Sequence, residues 1–221
     1  MAETVIYVVE IIGTIAFAIS GAMIAIERKL DMFGVIFLGV VTALGGGVVR
    51  DLIIGKTPPV MFENYSYLAA AMITSLAVFV VMFLLKNKYD KKRKRLFEGF
   101  FNVFDAVGLG IFAVLGVNIA VNAGYIDNGF LCVFVGMTTA CGGGIIRDML
   151  TSHTPMVLKS RVYALAAIIG SLVCYIMIYL GTEQWLGVLV GTLAVLVIRI
   201  CAAVFRWNLP HIELDPGVID D

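Results

Sequence analysis

Two Arg–Asp pairs, Arg50–Asp51 and Arg147–Asp148, stand in strongly apolar stretches of the chain, each behind a glycine triplet: GGGVVRD at 45–51 and GGGIIRD at 142–148. A carboxylate holds a cation or an ammonium group, and a planar guanidinium takes a solute carboxylate through two parallel hydrogen bonds. Two further acids, Glu10 and Asp105, also interrupt apolar runs. Each such charge costs about 2.5–3.5 kcal/mol at the centre of a membrane helix, so the set calls for a purpose. Adjacent helical residues point about 100° apart, so an Arg need not pair with its own Asp. Pairs across the two motifs, or with Glu10 and Asp105, would lower the cost.

The glycines add a second expense, about 1 kcal/mol each relative to Ala. Three in succession permit a kink, or backbone whose carbonyls turn away from the helix axis. The carbonyls of Gly45, Gly46, Gly142 and Gly143 are then candidate ligands for a monovalent cation, with Gly47 and Gly144 completing the breaks. Ser20, Thr42 and Thr139 offer hydroxyls to the same path, although a mid-helix Ser or Thr often bonds back to its own helix. Structural readings compete with these. Glycines also let helices pack closely, and the charges also make a buried network that locks two halves together.

The surroundings are those of a membrane. Of 221 residues 61% are hydrophobic and 14% charged, and the mean hydropathy is +0.99; soluble domains carry about 25% charged residues. A spanning helix needs about 20 apolar residues. Seven segments qualify: 4–26, 33–54, 65–85, 97–121, 129–151, 161–181 and 184–205. The run KNKYDKKRKR at 86–95 holds seven Lys or Arg and is expected inside. Arg28, Lys29, Lys159, Arg161 and the tail from Arg206 then fall on the same side, giving N-out/C-in. No cleavable signal peptide is expected, since Glu3 precedes the first apolar run. The net charge of zero comes from loops and a few intramembrane positions; no nucleic acid, cofactor or catalytic arrangement is expected. Cys132, Cys141, Cys174 and Cys201 read as small apolar residues. Arg199 is expected to snorkel to the headgroups, Pro58 and Pro155 to end the two glycine-bearing helices, and neither His153 nor His211 to serve as a ligand.

The two motifs are copies. A shift of 97 aligns 33–60 with 130–157 without gaps, pairing Phe33/Phe130, Gly39/Gly136, Thr42/Thr139, the glycines, Arg50/Arg147, Asp51/Asp148 and Pro58/Pro155. A shift of 95 pairs Glu10/Asp105, Gly13/Gly108, Phe17/Phe112 and Gly21/Gly116. The expected organisation is a first three-helix repeat (1–85), a basic linker (86–96), a second repeat (97–181), a seventh helix (182–205) and a cytoplasmic tail (206–221). Three spans per copy invert the second, as in many transporters. The fold class is therefore all-α integral membrane, with two inverted three-helix repeats plus one.

Two three-span repeats, each with GGGxxRD and a following proline, plus a seventh span, resemble the bacterial branch of the trimeric intracellular cation (TRIC) channel superfamily and its prokaryotic glycine-transporter relatives. The resemblance covers about residues 4–205. It implies a homotrimer in the bacterial plasma (inner) membrane, with a path in each subunit lined by Gly45, Gly46, Gly47, Gly142, Gly143 and Gly144 on kinked second and fifth helices. The expected function is a TRIC-type channel for potassium. The alternative is a transporter of a small zwitterion such as glycine, using the Arg–Asp pairs with Glu10 and Asp105. A purely structural membrane scaffold is the third reading.

Overall fold

Residues 2–85, 91–159, 162–205 and 207 are described in the computed structural model. The expectations for 86–90, Arg161, Arg206 and the tail from 208, His211 included, lie outside the described residues.

Hydropathy places the long helices within a few residues. They are α1 (Ala2–Glu27), α2 (Met32–Ile53), α4 (Tyr65–Leu85), α5 (Lys91–Ala120), α6 (Gly129–Leu150), α8 (Tyr163–Tyr179) and α9 (Gln184–Val204). Two short helices, α3 (Val60–Glu63) and α7 (Met156–Lys159), follow α2 and α6. The helix α5 starts six residues before the expected 97, because its basic residues extend it beyond the apolar part, and it ends in a π-helical turn over Val121–Tyr125. Among the described residues, six helices are long and apolar enough to cross a membrane; the 17-residue α8 is apolar but shorter.

The copies are visible at both helix ends. Adding 97 to Met32–Ile53 gives Gly129–Leu150. Asp31 and Asn128 cap the starts, each accepting from the N–H three residues on (2.8 and 3.0 Å), which satisfies one of the free donors of a first turn. The ends fall at left-handed residues, Gly55 (φ 76°) and Ser152 (φ 55°). Pro58 and Pro155 stand three residues further on, so they do not make the stop; the left-handed turn does.

Within the first copy α1, α2 and α4 pack together, and within the second α5, α6 and α8. The copies meet through α1 against α5 and α2 against α6. The centre is α5, with 78% of its apolar window buried, against 11% for α4. The seventh long helix, α9, lies mainly on α5 and α8 and only grazes α1, covering the second copy and leaving α4 of the first uncovered.

Candidate functional site

Both glycine triplets lie in unbroken helix. The carbonyls of Gly45, Gly46, Gly142 and Gly143 therefore sit in the regular ladder, where the N–H four residues on takes each bond. The expected cation ligands are thus not turned out. The reason is a close crossing of α2 and α6. A methyl group on Gly46 would collide with the Thr139 carbonyl, and one on Gly143 with the Thr42 carbonyl. Gly142 faces the Gly46 Cα across the contact, and Gly45 faces Ile146. The third glycine of each triplet lies against an arginine. Gly47 lies beside the Arg50 guanidinium (Nη2 3.6 Å from where a Cβ would stand) and Gly144 equally beside that of Arg147. Each arginine folds back over the turn that precedes it and lies against the glycine there.

Each arginine does pair with its own aspartate. Arg50 Nε donates to Asp51 Oδ1 and Arg147 Nε to Asp148 Oδ1, both at 2.8 Å. The guanidinium stem is long enough to overcome the 100° offset. The second oxygen of each Asp accepts from the backbone of the returning segment: Val60 N–H to Asp51 (2.9 Å) and Met156 N–H to Asp148 (2.8 Å). The Asp of GGGxxRD thus fastens both its arginine and the short helix after it, and all four side chains are buried.

Beyond this shared core the copies differ. Arg147 Nη1 donates to Asp105 Oδ1 (2.7 Å) and to Ser20 Oγ (2.5 Å), and Ser20 donates to the same Asp105 oxygen (3.1 Å). The Phe101 ring stacks 5.1 Å from the guanidinium, and Met156 Sδ lies 3.6 Å from Nη2. Arg147, Asp105 and Ser20 are all 0% exposed. This bridge spans α5 and α6 and reaches across to α1. Arg50 has none of it. Its terminal nitrogens have no hydrogen-bond partner among the described residues. Glu10, the counterpart of Asp105, instead accepts from the Tyr67 hydroxyl at 2.5 Å. A cavity of about 30 Å³ lies here, lined by Glu10, Thr14, Gly47, Arg50, Asp51 and Tyr67 among others. Roughly 10–15 Å³ suffices for one water, so the space holds about two.

Thr42 and Thr139 bond back to Leu38 and Val135 (both 2.6 Å) and offer their hydroxyls to their own helices. Ser20 alone of the three reaches the charges. Arg199 is half-buried with its guanidinium over the Tyr163 ring (4.9 Å), so it turns to that ring and not simply to the headgroups. Cys132, Cys141 and Cys174 are buried free thiols. A larger groove of about 430 Å³, between α5, α9 and the α7 return, touches none of the expected path residues. Sequence reasoning missed Tyr67 and Tyr163. A shift of 96, which also pairs Ser75/Ser171, carries the duplication into the third helix and would have found them.

The family model described as Glycine transporter matches the chain twice, over residues 7–83 and 102–179, one match to each copy. The chain belongs to this family. It is a multi-pass bacterial membrane protein: the inner membrane protein YadS of Escherichia coli K12 is 38% identical over 216 residues, covering 95% of this chain and 97% of that one. Among solved structures, a TRIC cation channel studied for conductance matches with a TM-score of 0.81 at 38% identity, covering 94% and 97%. The trimeric intracellular cation channel orthologue from Rhodobacter sphaeroides matches with a TM-score of 0.82 at 30% identity, covering 92% and 100%. The relatives of this family member are thus membrane proteins and channels.

Proposed function

We propose that this protein is a TRIC-type monovalent cation channel, carrying potassium along a path within each subunit of a homotrimer. Its seven spans are two inverted three-helix repeats plus α9, inserted N-out/C-in. The path runs beside the crossing of α2 and α6, past Glu10, Arg50 and Asp51 in the first repeat and Ser20, Asp105, Arg147 and Asp148 in the second. One observation carries the reading: buried ionisable side chains converge from both repeats beside the helix crossing, with a small cavity among those of the first. The match to solved cation channels over nearly the whole chain supports it. The glycine triplets serve the path indirectly, by bringing α2 and α6 together.

A second reading is favoured by the unpartnered Arg50 nitrogens beside Glu10. A small amino acid would place its carboxylate on the former and its ammonium on the latter. Purified protein in liposomes decides between them. The channel reading expects a potassium flux indifferent to glycine; saturable uptake of labelled glycine with little ion leak would replace it with the transporter.

A further inference from the structure

The two repeats hold the same residue types in different partnerships. Each has a carboxylate on its first helix (Glu10, Asp105), an Arg–Asp pair on its second and a tyrosine on its third (Tyr67, Tyr163). In the first repeat the carboxylate is with the tyrosine, and the arginine's terminal nitrogens are unpartnered among the described residues. In the second the carboxylate is with the arginine, while the Tyr163 hydroxyl and Asp105 Oδ2 are buried without a hydrogen-bond partner among the described residues. Buried polar atoms left without a bond are rare and ask for a reason. Here each lost bond is the one made in the other repeat.

The sequence explains why the second repeat is committed. Aspartate is one methylene shorter than glutamate, and Asp105 on Arg147 leaves the tyrosine unbonded. Ser20 adds its hydroxyl to the Arg147 bridge, while its counterpart at the shift of 95 is Leu115, which has no hydroxyl to give Arg50. Arg199, from the helix that lies mainly on the second repeat, stacks on Tyr163. None of these restraints acts on Glu10.

We propose that Glu10 is the moving part of a gate in the first repeat. Its carboxylate alternates between the Tyr67 hydroxyl and the terminal nitrogens of Arg50, and Tyr67 is the positioning residue that holds it in the open arrangement. The proposal rests on the channel reading above. With Glu10 on Tyr67, its other oxygen has no partner among the described residues, and the cavity between α1, α2 and α4 stays open. With Glu10 on Arg50, a carboxylate–guanidinium bridge joins α1 to α2, as Asp105–Arg147 joins α5 to α6. That bridge fills the cavity and consumes the charge that draws a cation. A monovalent cation in the cavity interacts only with the first arrangement, so rising cation concentration shifts the population toward it.

The test is a double-variant cycle. Tyr67→Phe removes the hydroxyl and keeps the ring; Glu10→Gln removes the charge that Arg50 attracts. Potassium flux in proteoliposomes is expected to fall about tenfold in Tyr67→Phe, a modest shift of a two-state balance. It is expected to return in Tyr67→Phe/Glu10→Gln to the level of Glu10→Gln alone. A cysteine at Val48, which lines the cavity, reports the gate without ion flux: its labelling by a charged thiol reagent, above the background of the native cysteines, is expected to slow in Tyr67→Phe and recover in the double variant. Undiminished flux in a folded Tyr67→Phe protein, a folded double variant whose flux differs from that of Glu10→Gln alone, or no recovery of the Val48 cysteine labelling in the double variant overturns the gate. Should Tyr67→Phe fail to fold, Glu10→Asp takes its place, giving the first repeat the side-chain length of the second. It is expected to close the path, and retained flux there overturns the proposal. A wild-type protein that passes no potassium, yet shows the labelling pattern, removes the channel reading and leaves the gate standing.

Discussion

Arg50 and Arg147 occupy equivalent positions and differ in what removing a partner should do. Asp105→Asn strips Arg147 of a fully buried counter-charge, and breaking such a pair costs about 3–5 kcal/mol. Glu10→Gln keeps an acceptor for Tyr67 and leaves the Arg50–Asp51 pair intact, so it should cost about 1 kcal/mol. Thermal melting in detergent measures both, and equal losses would mean that the two constellations are not energetically distinct. At this scale the sequence was partly legible. The charges and their placement in apolar helices follow from membrane cost and repeat spacing, whereas the link between Arg147 and Asp105 was one of several pairings left open and is seen only in the structure. The pairing of each Arg with its own Asp does not, because the offset of adjacent side chains ignores the reach of a guanidinium. The tyrosines were hidden because an aromatic in a membrane helix looks like any other apolar residue until its hydroxyl finds a carboxylate.

Among the helices, the glycine triplets are better explained by what they touch than by what they weaken. Gly46→Ala and Gly143→Ala each drive a methyl group into a carbonyl of the facing helix, and overpacking of this kind costs about 1–3 kcal/mol. Gly99, in α5, faces nothing within 4 Å among the described residues, so Gly99→Ala should be neutral or stabilising by up to about 1 kcal/mol from helix propensity. Melting temperatures of the three variants check this ranking; a Gly46→Ala protein as stable as the parent would show that the crossing relaxes freely. Hydropathy alone located α2, α4, α6 and α9 to within a residue or so. It missed α3 and α7, because four-residue helices pinned by an aspartate oxygen carry no periodic signal. It also read the glycines as breaks, since the cost of glycine is local while the compensating helix contact is distant in sequence.

The proposed orientation of the whole molecule has a direct measurement. Cysteines replacing Lys56 and Asp127 should react with an impermeant thiol reagent in intact cells, and those replacing Arg28 and Lys159 only after permeabilisation. Any other pattern would sink the N-out/C-in inverted arrangement. The doubling of the chain was legible from end to end of each motif, whereas its asymmetry was not. That asymmetry resides in single differences such as Ser20/Leu115 and in α9, which has no counterpart and packs chiefly on the second repeat. A pore built from two identical, oppositely facing halves would pass current equally in either direction. Covering one half with α9 removes that equivalence, and on the channel reading the two ends of the path would then differ for an arriving ion. Single channels in a planar bilayer should accordingly rectify, with the sense of rectification reversing when the protein inserts the other way round.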